Sequence, residues 1–470
     1  MLISLKTQKQ KNEMKQKNTL WMKVWVGIFL FFLPLYTTAQ ESVLDTYVKE
    51  GLESNVLIQQ RHLSLENAMY ALRSARYNYI PTLNFEGLYT TAEGGRSYEI
   101  PVGDYLNPLL NTVNQFLGPG TVAPLENERI NFLPKNYYDA KVRLSVPILN
   151  MDIIHNNRIH DKQLSLSQHD IEIFSRELVK EIKTTYYQYL SAEKAIKIYE
   201  NTIELAEESK RINERLVEVG TGVYAYVLRS ETEIEQAKAK RRAAELQANT
   251  VRMYFNALLN RAPETEIVIA ENNEIVPLLD KSTVSIDGRE ELMSLEQAVA
   301  IREDIVRMKK QVYLPRLNGF MDLGSQAEEM RFDKESLYYM VGLQLTIPIF
   351  NGTKNNLAVK RAINDVEIAK LQKEDIAQKL NVAVNQSYNE VLIKQSNYEA
   401  SLKQLEMAQT YHRLIDKGYA SGVNTYLETV DARTQLSSAE IATNLNYYQF
   451  LEALAKFERE TASYPLPIIE

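Results

Sequence analysis

Two long stretches of the chain have the composition of uninterrupted helix, and each follows short stretches in which apolar and polar residues alternate. The first long stretch, residues 148–262, contains no proline and only two glycines, Gly220 and Gly222. Proline removes a helical hydrogen bond, and an interior glycine costs about 1 kcal/mol. The pattern therefore predicts a helix of ~70 residues, a turn at the glycines and a helix of ~40 residues, the longer one extending ~100 Å.

The second long stretch, residues 349–464, repeats this design. The segment VGTGVYAYVL at 219–228 lies 200 positions before YASGVNTYLE at 419–428, so that Gly222 falls on Gly422. Upstream, SVPILN at 145–150 matches TIPIFN at 346–351. Matches in the same order indicate a tandem duplication. The glycines of the second stretch are Gly352, Gly418 and Gly422.

Four shorter stretches show the period of two that is typical of half-buried strands. They are residues 81–91, 138–146, 316–323 and 339–347. Each is close to the ~9–11 residues that a tilted transmembrane strand needs. On such strands Lys141 and Arg143 would face a wet lumen, although alternation alone also fits one face of a soluble sheet. The tyrosines at the strand ends suit an interfacial aromatic belt; they are Tyr137, Tyr138, Tyr338 and Tyr339.

The remaining segments are helices, connectors and a linker. Residues 43–52 and 56–79 are predicted to be two helices. The first strand pair encloses a long connector at about 94–136, rich in Pro, Gly and Asn, and the second a shorter one at about 325–335. Residues 263–290 are interpreted as a linker between the repeats, with a short strand at 266–270.

Apolar residues on the long helices form narrow seams with alternating steps of three and four. The seam of the first is Tyr189, Ala192, Ile196, Tyr199, Ile203 and Ala206. The seam of the second is Val384, Tyr388, Val391, Gln395, Tyr398, Leu402 and Leu405. Such heptad seams predict coiled-coil packing within extended helical hairpins.

Four strands from one chain are too few to close a membrane barrel. An open sheet edge cannot lie in lipid, and the smallest outer-membrane barrels have eight strands. Two or more copies must therefore pool their strands around a symmetry axis.

The first 39 residues have the organisation of a secretory signal peptide. Six lysines precede a short apolar run at 24–35, which is followed by Thr37, Thr38 and Ala39. Removing this segment takes away the six lysines and one glutamate, so the net charge falls from −7 to −12. An acidic chain argues against a nucleic-acid partner. The chain contains no cysteine, which excludes disulfides and thiolate metal sites.

Residues with catalytic or ligand chemistry form no recognisable constellation, and the sequence predicts no enzyme, cofactor or metal site. The histidines are scattered, at His62, His155, His160, His169 and His412. His155 and His160 are five apart, whereas a spacing of four would place both on one metal-binding face of a helix. The GTG at 220–222 lacks the strand and the GK[ST] of a phosphate-binding loop.

The ordered set of features resembles the TolC family of outer-membrane efflux proteins. It comprises the signal peptide, the duplicated strand and helix hairpins, and two short motifs. These are the turn into each long helix, SVPILN at 145–150 and TIPIFN at 346–351, and the segment GVNTYLETVDA at 422–432. The long first connector resembles members of the Bacteroidetes type. The resemblance implies a homotrimer with a 12-stranded β-barrel in the outer membrane and a long periplasmic α-helical barrel. It also implies passive conduction, with a periplasmic adaptor (membrane fusion) protein and an inner-membrane RND, ABC or MFS transporter as partners.

The resemblance also assigns roles at the periplasmic tip. The residues expected to dock the adaptor are Gly220, Gly222, Val223, Tyr419, Gly422 and Val423. Gly222 and Gly422 are expected to permit tight turns through a positive φ. Glu428 and Asp431 match an acidic ring at the entrance, whereas without the resemblance a solvated acidic helix face is the better interpretation. The family's charged latch is absent, because Asn424 and Leu228 occupy its arginine and aspartate positions.

One further expectation concerns the helix before the second strand pair. Aligning Asn55–Pro81 with Glu303–Pro315 predicts that the second repeat has lost ~14 residues, or ~21 Å of helix. The functional prediction is the channel component of a tripartite efflux or type I secretion system. The alternative is a secreted, rod-like coiled-coil structural or adhesive protein with soluble β heads.

Overall fold

The computed structural model describes residues 42–133, 135–269 and 284–466. The predicted signal peptide at 1–39, much of the linker and most of the C-terminal tail at 465–470 lie outside this range. The helices are α1 (Val43–Ser54), α2 (Val56–Tyr77), α3 (Val102–Leu117), α4 (Met151–Glu218), α5 (Tyr224–Leu258), α6 (Glu290–Lys310), α7 (Lys354–Ala420) and α8 (Tyr426–Thr461). The strands are β1 (Thr82–Thr90), β2 (Ser97–Ile100), β3 (Glu128–Asn131), β4 (Tyr137–Leu149), β5 (Arg316–Ala327) and β6 (Leu337–Thr346).

The predicted duplication is confirmed. Each repeat contributes a short helix, an antiparallel strand pair and a long helical hairpin, in that order. The first long helix, α4, has 68 residues and begins where the side chain of Asn150 accepts a hydrogen bond from the amide of Asp152. Its counterpart α7 has 67 residues. Within the described residues, no helix is apolar over a length sufficient to cross a membrane.

The four longer strands form one antiparallel sheet in the order β1-β4-β5-β6. β1 and β6 therefore lie at its two edges, and each pairs on one side only among the described strands. The single irregularity described in the register of this sheet lies between Pro147 and Leu149 of β4. Proline cannot donate to the ladder, which explains a bulge at that point.

The helices pack side by side into a wall of two layers, and the long helices α4 and α7 belong to both layers. One layer lies next to the glycine turns. In it α4 packs against α5 and α8, and α8 packs against α7, so the order of helices is α5-α4-α8-α7. The other layer lies next to the sheet, because α2 and α6 lead into strands. In it α4 packs against α2 and α6, and α6 packs against α7, so the order is α2-α4-α6-α7. The two long helices α4 and α7 thus run through both layers, whereas the shorter helices meet end to end.

Side chains at the N-termini of α2 and α6 form these end-to-end junctions. Asn55 donates to the carbonyl of Leu258, the last residue of α5, at 2.9 Å. Arg289, which is 1% exposed, donates to the carbonyl of Glu460 near the end of α8 at 2.7 Å. Both contacts satisfy carbonyls that a helix end leaves without an intrahelical partner.

The predicted loss of ~14 residues in the second repeat is wrong. α2 has 22 residues and α6 has 21. The residue preceding each helix, Asn55 or Arg289, stands 26 positions before the proline that precedes the strand, Pro81 or Pro315. The true counterpart of Asn55 is therefore Arg289 rather than Glu303, and the wall of the second repeat has full length.

A core of aromatic and branched side chains lies where α1, α4 and α5 meet. Tyr47 of α1 packs edge-to-face on Phe255 of α5, with ring centroids 5.1 Å apart, and Tyr186 of α4 lies beside both. Phe255 and Tyr186 are fully buried. The predicted strand at 266–270 is not formed over 266–269. That segment is irregular and instead places Ile267 in this core.

The seam predictions hold along α4 and fail toward the end of α7. Tyr189, Ala192 and Ala206 are buried as predicted. On α7 the predicted Leu402 is 41% exposed, and the buried position nearby is Ser401. The long connector also contains more structure than predicted, because it holds the β2–β3 ribbon and helix α3.

Candidate functional site at the helical tip and the strand lumen

The two turns that join the long helices end α4 and α7 with the same glycine conformation. Gly220 and Gly422 each adopt a φ of +75°. In both turns amides just after the helix donate back to carbonyls of its last turn, as in Gly220 to Val217 and Gly422 to Tyr419. Glycine is favoured there because it enters the left-handed region without steric cost.

The expectation of a positive φ at Gly222 is wrong. This glycine is required for a different reason, since a Cβ on it would lie 2.5 Å from the amide nitrogen of Val217 and 2.6 Å from the carbonyl carbon of Leu216. Gly220, not Gly222, has the conformation of Gly422. The sequence repeat and the turn geometry are therefore out of register by two residues.

Of the other predicted tip residues, the two valines are open to solvent and Tyr419 is not. Val223 is 53% exposed and Val423 is 80% exposed, each in the turn before the second helix of its hairpin. The hydroxyl of Tyr419 donates to Asn213 of α4 at 3.4 Å, which links the two hairpins. The tip thus presents an apolar residue from each turn on a rigid base.

The acidic pair lies on the first turns of α8. Glu428 completes a capping box, because its carboxylate accepts the amide of Thr425 at 2.6 Å while its own amide donates to the Thr425 hydroxyl. The backbone hydrogen bond from Thr425, followed by that from the Asn424 side chain, lowers the pKa of Glu428. Asp431 accepts a hydrogen bond from Gln435 at 2.7 Å. Both acids are solvent-exposed, three positions apart, and share one helix face.

A polar and aromatic cluster that the sequence analysis missed joins the two hairpins just above the turns. The hydroxyl of Tyr426 lies 2.7 Å from that of Ser230, and its ring packs at a tilt against that of Tyr226, with ring centroids 4.9 Å apart. Asn213 contacts Ser230 from α4. The 200-residue repeat places Tyr226 on Tyr426, so the two tyrosines could have been recognised as equivalent positions.

A buried charge contact lies two turns further along the same helices. Arg433 Nη2 of α8 is 3.3 Å from Glu233 Oε2 of α5, and Arg433 Nη1 donates to the carbonyl of Leu205. The Glu233–Arg433 contact is electrostatic rather than a well-aligned hydrogen bond. Burial raises the pKa of Glu233, against the opposing effect of Arg433. The two residues are again equivalent in the repeat and carry opposite charge.

The sheet presents one charged face. Lys141 is 2.7 Å from Asp139, and Arg143 donates two hydrogen bonds of 2.7 Å to Asp322 on the neighbouring strand. Glu86 of β1 lies within 4 Å of both cations. The opposite face is apolar and exposed; its members include Phe85, Leu323, Val341 and Leu343. The polar face thus suits water and the apolar face suits lipid.

Of the four tyrosines predicted to form an aromatic belt, only one lies exposed on the apolar face, and the belt itself stays a prediction. Tyr339 is 77% exposed on the apolar face. Tyr137 and Tyr338 lie on the charged face, where their hydroxyls donate to Gln326 and Asp139. Tyr138 is buried and donates to a backbone carbonyl at residue 331. Successive strand residues point to opposite faces, so adjacent tyrosines cannot both face lipid.

Metal chemistry finds no support in the part of the chain that the structure describes. There, no three or more histidine and acidic side chains group so as to hold an ion. His155 is buried and its Nε2 lies 2.6 Å from Gln311 Oε1. His169 lies 2.8 Å from Glu172 on its own helix.

Comparison with known sequences finds a matching family model and named relatives. Residues 48–261 and 284–460 match the family model described as outer membrane efflux protein. The chain is 22% identical over 328 residues to the alkaline protease secretion protein AprF of Pseudomonas aeruginosa, an alignment covering 68% of each protein. It is 22% identical over 282 residues to TtgC of Pseudomonas putida, a probable efflux pump outer membrane protein, with 56% of each protein aligned.

Solved structures share the fold over nearly the whole chain. The open state of the MtrE outer membrane channel of Neisseria gonorrhoeae superposes with a TM-score of 0.70 at 18% identity. The superposition covers 89% of this chain and 88% of that one. The two matched family segments correspond to the two repeats, each with its strand pair and long helical hairpin.

Proposed function

The chain belongs to the outer membrane efflux protein family, and we propose that three copies form one channel. The channel conducts substrates passively from an inner-membrane pump across the periplasm and the outer membrane. Members of the family are outer-membrane proteins of Gram-negative bacteria. The named relatives act in secretion or efflux. Family membership therefore favours the channel over a secreted rod with soluble heads.

The observation that carries this proposal is that the sheet and the helical wall are open at the same two edges. The sheet ends at β1 and β6, and the wall ends at α2 and α5 on one side and α7 on the other. An open sheet edge cannot lie in lipid. Three copies bring twelve strands, which exceeds the minimum of about eight for an outer-membrane barrel.

The polarity of the sheet supports passage of water and solutes through the barrel. The charged residues share the face opposite the exposed apolar side chains, as in a barrel with an aqueous lumen. Arg143 and Asp322 neutralise each other there, as do Lys141 and Asp139. Paired charges keep the lumen wet without a strong preference for one ionic substrate.

We assign contact with the periplasmic adaptor to the tip residues on the two turns. Val223 and Val423 offer exposed apolar side chains beside turns of fixed geometry, which suits packing against a helical hairpin. The adaptor would connect the channel to an inner-membrane transporter of the RND, ABC or MFS class. The Tyr419–Asn213 and Arg433–Glu233 contacts join the hairpins where the family's charged latch is missing.

Extraction and reconstitution test the proposal directly. The protein should leave the membrane fraction only with detergent, and light scattering should give the mass of a trimer. Planar bilayers should show stepwise conductance after its addition. A protein that is released by salt alone, or a monodisperse monomer that retains its strand content, would refute the channel and leave the rod-like alternative.

A further inference from the structure

Helix α3, in the connection between β1 and β4, is held rigidly by asparagine side chains. Asn107 donates to the carbonyl of Leu125 at 2.9 Å and accepts its amide at 2.8 Å. Asn114 makes the same reciprocal pair with Val122, with both distances 2.8 Å. These two asparagines are seven positions apart, so they lie on one side of the helix and fasten it to the returning chain.

The side of α3 that faces away from this clamp is apolar. Tyr105 is 78% exposed, Leu109 is 64% exposed and Phe116 is 86% exposed. Leu109 and Phe116 each follow a clamping asparagine by two positions, which is about 200° around the helix. The helix therefore turns polar residues toward its own chain and apolar residues outward, the reverse of an ordinary surface helix.

Exposed and half-buried apolar residues on this side also have the spacing of a helix-packing seam. Val102, Leu106, Leu109, Val113 and Phe116 follow steps of four, three, four and three. A seam of this spacing is narrow and matches a partner helix with a similar seam. The partner expected from the pattern is another helix.

A membrane surface is a poorer partner for α3. Helices that lie on membranes carry lysine and arginine on their polar face. α3 contains neither, and its only charged residue is Asp104. Across residues 91–136 five acids outnumber three bases.

Position favours a second copy of this chain. α2 ends just before β1 and α4 begins just after β4, so the β1–β4 connection lies at the end of the sheet remote from the long helices. β1 is also an edge strand, where the proposed trimer brings the next copy. α3 helices from neighbouring copies therefore emerge at the outer end of the same barrel.

We propose that the α3 helices of the three copies pack on one another through this apolar seam and form a cap at the outer mouth. This inference rests on the proposed trimeric channel. It assigns to the connector an interface between copies that is separate from the sheet and the helical wall.

Single cysteines test the cap, because the native chain has none. Phe116→Cys and Leu109→Cys should each form a disulfide-linked dimer under mild oxidation in outer membranes, involving up to two of the three chains. Asn111→Cys is the matched control, exposed on α3 but about 200° from Leu109. It should give at least tenfold less dimer.

The outcomes separate this inference from the channel itself. If the protein is a trimer but neither seam cysteine cross-links above the Asn111→Cys control, the cap is wrong and the channel stands. If the protein is a monomer, the proposed channel is refuted, and the cap that rests on it is refuted with it. A fluorophore on Phe116→Cys that nitroxide lipids quench more strongly than one on Asn111→Cys would place α3 in the membrane and overturn the cap.

Discussion

At the scale of single residues, the tip shows how one residue type meets two different demands. Gly220 and Gly422 provide a left-handed backbone, whereas Gly222 provides space against the preceding helix. The sequence does not distinguish the three positions, because a glycine indicates only that a side chain is disfavoured there. Which demand applies depends on how the turn closes, and that is fixed by the backbone hydrogen bonds after α4.

Replacing the left-handed glycines should disturb the tip without disturbing the barrel. Gly220→Val and Gly422→Val place a β-branched residue at a φ of +75°, which such residues rarely adopt. We expect export in a strain that depends on this channel to fall several-fold, while the trimer still forms in the outer membrane. Gly288→Val is the control, since its φ is ordinary and its surroundings are open. Full export by both tip variants would argue against docking at the turns.

The acidic pair should give the entrance a preference for cations that persists in mild acid. Three copies would bring six carboxylates from Glu428 and Asp431 around one axis, and such rings attract cations. Because its hydrogen bonds lower the pKa of Glu428, that carboxylate stays charged below the usual glutamate value of ~4.3 and loses its charge only at still lower pH. The same shift means that Glu428 stabilises the fold above this range and ceases to do so as the pH falls through its lowered pKa.

Planar-bilayer recordings can measure this preference. Glu428→Gln with Asp431→Asn should reduce cation selectivity, most clearly at low salt, since the Debye length is ~10 Å at 0.1 M. The single Asp431→Asn change leaves the capping box intact and separates charge from helix capping. Unchanged selectivity and unchanged block by multivalent cations in the double variant would return both acids to an ordinary solvated face.

At the scale of elements, periodicity was sufficient where one face of an element dominates its packing. The long helices and the four sheet strands follow from the absence of proline and from the alternation of apolar residues. The end-to-end helix junctions could not be predicted from periodicity. Asn55 and Arg289 each donate to a carbonyl at the end of another helix, although their side chains are chemically different. An asparagine side chain and an arginine side chain can both reach the end of the preceding helix, and no residue identity reveals that equivalence.

Removing the arginine anchor should destabilise the junction between α6 and α8. Arg289 is 1% exposed and contacts the carboxylates of Glu291 and Glu460. Removing one partner of a buried ion pair costs ~3–5 kcal/mol when the remaining charge is left unpaired. Here Arg459 still contacts both carboxylates, so the cost is smaller. Arg289→Met should therefore lower the thermal midpoint of the helical signal by several degrees.

An exposed ion pair provides the control for this prediction. Arg211 pairs with Glu208 on the surface of α4, with both side chains at least half exposed. Surface pairs of this kind contribute ~0–1 kcal/mol. Arg211→Met should leave the midpoint nearly unchanged, and an equal shift in the two variants would show that Arg289 is no special anchor.

At the scale of the whole molecule, the sequence could show that one chain is incomplete but not which surfaces complete it. That four strands cannot close a barrel follows from their number alone. Which face of α7 is left for a neighbouring copy depends on which face already packs within the chain. On α7, Val366, Val384 and Val391 are buried against the rest of the chain. Ile368, Val382 and Ile393 each lie two positions away, about 200° around the helix, and all are more than half exposed.

This outer face of α7 is where the next copy of the chain is expected to pack. Burying an aliphatic side chain of this size is worth ~1.5–3 kcal/mol, and a charge there would have to be desolvated instead. Val382→Glu with Ile393→Glu should therefore shift the detergent-solubilised protein from trimer to monomer. The fold of each chain should survive, because the buried valines are unchanged. Light scattering gives the mass, and circular dichroism reports the helical content of the same sample.

A matched change of charge away from this edge shows whether the effect belongs to the interface. Val219→Glu with Val423→Glu adds the same two charges at exposed positions of the tip turns, 70% and 80% exposed. That variant should remain trimeric. If the α7 variant also stays trimeric at the lowest measurable concentration, α7 does not form the seam between copies. The wall must then close through other surfaces, because among the described helices those at both ends of the wall pack against a neighbouring helix on one side only.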